Sequence, residues 1–123
     1  MILCDSNILI DVYRGNAFLT AVLQRMEKLV VVSDVTRAEL FFGARNKAEL
    51  NYIRKEFAKL SVLTINPDIS TIGVDLVETY CLSHKLDFLD ALIAATAIYH
   101  DVELYTLNKK DFIFIPGLKL YQP

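Results

Sequence analysis

Leu29-Val30-Val31-Val32, closed by Ser33-Asp34, is the stretch that sets the fold class. Four apolar residues, three of them β-branched, run without a polar alternate, which is the pattern of a strand covered on both faces. Ser33-Asp34 then stops the run with residues that favour helix starts. A strand of this kind belongs to a parallel sheet between helical layers, and the chain on either side agrees.

Upstream, Ile2-Leu3-Cys4 is a short apolar run ended by Asp5-Ser6-Asn7, a strand followed by a turn. Helical segments are expected through Asp11 and from Asn16 to Lys28. Downstream, a helix runs through Phe42 to Gly43, and a second begins at Lys47, where Leu50, Ile53, Phe57 and Leu60 recur at helical intervals. Val62-Leu63-Thr64-Ile65 predicts a third strand. Asn66-Pro67-Asp68 opens a helix with proline at its first position and an apolar stripe of Ile69, Ile72, Leu76 and Tyr80. The segment from Asp87 to His100, rich in alanine, predicts a helix that packs closely on its neighbours. Glu103-Leu104-Tyr105-Thr106 predicts a fourth strand, Asn108 to Asp111 a turn, and Phe112-Ile113-Phe114-Ile115 a fifth strand. Strands alternating with helices give an α/β fold with a mainly parallel sheet covered on both faces, and no repeat or linker divides residues 1–123.

Composition narrows the function. The chain has 123 residues, 54% of them hydrophobic, enough for one core with apolar surface left over for self-association. No apolar run has membrane-spanning length, and Asp5 interrupts any leader-like core, so a cytoplasmic protein is expected. Cys4 and Cys81 lack metal-ligand spacing and read as buried free thiols. Thirteen basic residues against fifteen acidic ones give a formal charge of -2, which excludes a protein held to nucleic acid by phosphate contacts alone.

In parallel α/β sheets, ligands bind beyond the carboxyl ends of the strands. Asp5, Glu39, Asp90 and Asp111 all fall at that edge: after the first strand, inside the helix after the second, in the first turn of the alanine-rich helix, and after the fourth strand. Singly, each has an ordinary explanation. Asp5 can cap a helix, Glu39 can be a solvated helix residue, and Asp87 and Asp90 can both serve a helix N-terminus. Asp90, however, shares its helix face with Ile93, Ala94 and Ala97, which turns the carboxylate inward, and Asp87 three residues earlier adds like charge. Carboxylates converging without His or Cys make an all-oxygen site suited to Mg²⁺, or Mn²⁺.

Four segments carry a resemblance. Ile2 to Asp11, Ser33 to Leu40, Asp90 to Ala97 and Leu104 to Phe112 resemble, in order and separation, the motifs of PIN-domain ribonucleases, and specifically the VapC toxins of toxin–antitoxin pairs. Asn108 departs from the broader pattern, which has an acid there; Asp111, three residues on, is the alternative for that position. The resemblance implies a five-stranded parallel sheet in a three-layer α/β/α sandwich. It implies a metal-binding core of Asp5, Glu39 and Asp90, cleavage of RNA, a VapB-type antitoxin partner and a homodimer. Asp111 is expected to complete the catalytic set, with Ser6, Asn7, Thr36, Asp87, Thr106 and Asn108 as supports; Arg14, Arg37, Arg45, Lys109 and Lys110 are candidates for phosphate contacts. Two other readings stay open. A phosphoacceptor receiver domain also gathers acids at this edge, but it needs paired acids after the first strand and an acceptor Asp after the third, where this chain has Asn66-Pro67. A PIN-fold module kept only to bind a partner would not need the acids.

Overall fold

The computed structural model describes residues 1–26 and 29–123. Four short strands, β1 (Ile2–Cys4), β2 (Val30–Ser33), β3 (Ser61–Leu63) and β4 (Glu103–Tyr105), form a sheet of order β3-β2-β1-β4 in which every pairing is parallel. Among the described residues six α-helices accompany them: α1 (Ser6–Tyr13), α2 (Ala17–Arg25), α3 (Asp34–Phe42), α4 (Lys47–Phe57), α5 (Pro67–His84) and α6 (Phe88–His100).

Alternation along each strand divides the core in two. Leu3, Val31 and Leu104 face one way and pack with Ile69 of α5 and the buried run Ala91–Ala97 of α6. Ile2, Cys4, Val30, Val32 and Tyr105 face the other way, against Leu9, Leu19, Val22, Leu40, Ile53 and Phe57 of α1 to α4. The result is the three-layer sandwich. Helix α6 gets so close to α5 because Gly73 leaves room: a Cβ there would lie 3.0 Å from Leu92 Cδ2.

The sheet has four strands where five are expected. Residues 112–115 form turns, and their burial follows a spacing of three, with Phe112 and Ile115 inside and Ile113 out. The place beside β4 is taken instead by the chain around Leu120, which makes a single parallel bridge to Leu104: Leu104 N–H donates to Lys119 O, and Tyr121 N–H to Leu104 O, both at 2.8 Å. Phe-Ile-Phe-Ile suits a strand locally, but the 3₁₀ turn at Lys109–Asp111 carries on into it: Phe112 and Ile113 N–H both donate to Lys109 O, and Ile115 N–H to Phe112 O. The expected helix from Asn16 ends at Arg25 with Met26 as its cap, and its last two residues, 27 and 28, lie outside the described residues. Cys4 is buried as expected; Cys81 is exposed on α5, contrary to expectation, because the stripe that faces the sheet passes through Leu76 and Tyr80.

Candidate active site

The end of β1 supplies the most buried acid. Asp5 N–H still belongs to the sheet, donating to Tyr105 O at 2.9 Å, while its side chain already serves α1 as N-cap: Oδ1 accepts from Ser6 N–H at 2.8 Å. Oδ2 accepts from the Thr106 hydroxyl at 2.8 Å. The direction of that last bond is fixed, because Thr106 Oγ1 accepts from Asn108 N–H at 3.1 Å and so turns its proton to Asp5. Asn7 ties the same corner together. Its Oδ1 accepts from Leu107 N–H at 3.2 Å, and its amide nitrogen lies 3.4 Å from Thr106 Oγ1 and 3.5 Å from Asp5 Oδ2. Asp5 is therefore a helix cap and an inward acid at once. It is only 5% exposed, and its pKa is raised, chiefly by burial, with hydrogen bonds from Thr106 and Ser6 opposing and the charge of Asp111 adding.

Glu39 reaches the same edge from α3. Ser33, at the end of β2, caps this helix by accepting from Thr36 N–H at 3.1 Å, and its hydroxyl donates to the buried Thr36 hydroxyl at 3.3 Å. Thr36 thus supports the start of the helix rather than touching a carboxylate. Glu39 is half-buried and its pKa is raised, first by desolvation and then by Asp5, with Ser6 opposing and Asp87 adding. Its Oε1 is buried and takes no hydrogen bond among the described residues.

Asp90 completes the trio from the first turn of α6. Asp87 caps that helix, its Oδ1 accepting from Asp90 N–H at 2.8 Å. Capping is thus its structural task, and among the neighbouring acids its charge also acts most strongly on Asp90. The Asp90 carboxyl is pushed from the usual 3.8 up to about 7, first by burial and then by Asp87, Asp5, Asp111 and Glu39 in that order. Asp111, exposed in the 3₁₀ turn, adds its charge to both Asp5 and Asp90. The Asn108 side chain makes no capping bond; its contribution is the backbone N–H to Thr106. The five acids act on one another electrostatically, yet among the described residues no three of them are drawn into a closed ligand set.

This donor set fits a hard divalent cation. Three carboxyls with raised pKa have too little positive charge around them, one carboxylate oxygen is buried without a partner, and every candidate ligand is oxygen. The cations expected nearby are mostly engaged elsewhere. Arg37 Nη1 lies 3.7 Å from Asp34, Arg45 is paired to Glu49 at 2.8 Å, and Lys109 Nζ donates to Gln122 Oε1 at 2.6 Å. Ser33, expected from the sequence to mark a helix start but not counted among the supports, caps the helix that carries Glu39.

The PIN-domain family model matches residues 2–115. Ribonuclease VapC19 of Mycobacterium tuberculosis is 36% identical over 123 residues, covering 97% of this chain and 98% of its own length. Ribonuclease VapC10 of the same organism is 34% identical, covering 97% and 91%. Among solved structures, a toxin–antitoxin complex from Klebsiella pneumoniae superposes with a TM-score of 0.83 at 33% identity over the whole of both chains. DNA-bound VapBC from Salmonella typhimurium gives 0.84 at 19% identity, covering 98% and 96%, a likeness of fold.

Proposed function

The chain belongs to the PIN-domain family, and from that premise we propose that it is a VapC-type endoribonuclease, the toxin of a toxin–antitoxin pair, acting as one domain in the cytoplasm. The observation that carries this is the convergence of Asp5, Glu39 and Asp90 at the carboxyl edge of the sheet, each with its carboxyl pKa raised. A scaffold kept only for binding has no use for three acids held against burial and one another's charge. Among the described residues no helix is long and apolar enough to cross a membrane.

Asp5 and Asp90 would hold Mg²⁺ or Mn²⁺ most directly, and Glu39, with its unpartnered Oε1, would bind it through water or orient the attacking water. When bound, such a cation lowers the pKa of water and offsets charge developing on the phosphate. The residues themselves fix the geometry. Thr106 holds Asp5 Oδ2 and Ser6 N–H holds Oδ1, which fixes the carboxyl, and Asn7 locks the β1 and β4 ends against each other. Asp111 would complete the set. A VapB-type antitoxin is the proposed partner in the resting cell, on the likeness to the toxin–antitoxin complex, and a homodimer accounts for exposed Leu82, Val74 and Phe88.

Purified chain incubated with total RNA should cut it with Mg²⁺ or Mn²⁺ and not with EDTA. Asp5→Asn should lose several kcal/mol of transition-state stabilisation, at least about a hundredfold in rate. Folded, antitoxin-free protein that leaves varied RNAs intact with either metal would return the binding-module reading.

A further inference from the structure

Beside the carboxylates lies a recess that the proposed chemistry does not use. It has a volume of about 280 Å³ and is lined by Asp11, Phe18, Tyr105, Thr106, Leu107 and Lys109, among others. That is just below the range of roughly 300–1,000 Å³ typical of drug-sized ligand pockets, so it suits one planar ring system. Thr106, whose hydroxyl holds Asp5, forms part of its wall, so the recess adjoins the cutting site.

Its lining has two characters. Phe18 and Leu107 are large apolar side chains left 65% and 48% exposed, at the start of α2 and just after β4. Asp11 lies four residues after Asn7 on α1, hence one turn below it on the same face. Unlike Asn7, the Asp11 carboxylate makes no hydrogen bond or ion pair among the described residues. Exposed apolar surface with an acceptor-only group next to it is the chemistry that reads an unstacked nucleobase: a face to stack on, and oxygens for donors on the base edge. Lys109 also lines the recess, and because its Nζ donates to the neutral Gln122 Oε1 rather than to an acid, its charge is left for an adjoining phosphate.

We infer that this recess is a nucleobase subsite for a nucleotide flanking the cleaved bond, in which Asp11 selects bases that present hydrogen-bond donors. Guanine, with adjacent N1–H and N2–H donors matching the two oxygens of a carboxylate, fits best; uracil, with one donor between two carbonyls, fits worst. The inference rests on the nuclease reading for the identity of the ligand as RNA.

The test is binding rather than turnover. Fluorescein-labelled tetranucleotides differing in a single base are titrated by fluorescence anisotropy against Asp90→Asn protein, which removes one repelling charge and blocks cutting. Guanine should be preferred to uracil by roughly tenfold or more. Asp11→Asn in that background should erase the preference while keeping the affinity of the weaker class, and Phe18→Ala should weaken all four alike. Leu107→Ala gives a second apolar variant should Phe18→Ala fold poorly, as judged by circular dichroism. Equal binding of the four bases, or a preference unchanged by Asp11→Asn, overturns the subsite. Absence of metal-dependent cleavage by the wild type would remove the nuclease while leaving this contrast readable.

Discussion

At the scale of single residues, Asp90 links protonation, cation binding and stability. Its folded carboxyl titrates near 7 against the usual 3.8, so the metal-free protein holds this proton more tightly than the unfolded chain does. The sign follows from linkage: the group favours the fold at low pH, and that contribution fades as pH rises from about 4 to about 7. A cation must displace the proton below that point, so its apparent affinity should fall by up to about tenfold for each pH unit below 7. Calorimetric titration with Mn²⁺ across this window checks it, and an affinity flat down to pH 5.5 would mean that Asp90 is not a ligand. The Asp5 corner was legible in sequence because an acid after a strand is a positional signal. Thr106 was expected as a support through the resemblance alone; no local pattern encodes that its hydroxyl meets Asp5, 101 residues away, at the end of the neighbouring strand.

At the scale of elements, the helix starts do the positioning. Ser33, Asn46, Asn66 and Asp87 each accept from a backbone N–H three residues on, and two of these caps lie beneath site acids, Ser33 under the helix of Glu39 and Asp87 under that of Asp90. Asp87 has two effects that substitution can separate. Asp87→Ala removes cap and charge together, and loss of a cap costs about 1 kcal/mol. Asp87→Ser keeps a capping oxygen and removes only the charge. The expected outcome is a lowered Tm for Asp87→Ala, near wild-type Tm for Asp87→Ser, and an Asp90 pKa lowered in both, read by NMR titration of the carboxyl carbon. Equal Tm values for the two variants would show that the cap bond contributes nothing. The fifth strand was misread at this scale for a related reason: Phe112 to Ile115 has strand-forming residues, but the preceding 3₁₀ turn and the burial of Phe112 and Ile115 decide its shape, and both are tertiary facts.

At the scale of the whole molecule, the sheet order β3-β2-β1-β4 puts β1 in the middle, and so brings acids from residues 5, 39, 90 and 111 to one edge. Binding a cation there should raise the stability of the entire fold, because the unfolded chain has no such cluster. At a hundred times Kd the gain is about 2.7 kcal/mol, which corresponds to a Tm rise of several degrees for a domain of this size. Asp90→Asn should show the reverse pattern: a higher metal-free Tm, since a charge disfavoured first by burial and then by its acidic neighbours is removed, and little response to Mg²⁺ or Mn²⁺. Differential scanning calorimetry of both proteins with and without metal decides this, and an equal rise in the two would place the cation elsewhere. Layer order and the alternation of strand faces were readable from the apolar runs; the two-sided core could not be misplaced once Val30 to Val32 were recognised as covered on both faces.

The bridge at Leu104 bears on how the protein is handled at the bench. The segment that fills the edge of the sheet there continues through Tyr121 to Pro123, which itself borders the recess beside Thr106. A purification tag fused after Pro123 would hang over the very surface on which RNA selectivity is to be measured, and would pull on the only rung that seals that flank among the described residues. Met1, 59% exposed and ahead of β1, is the safer point of attachment.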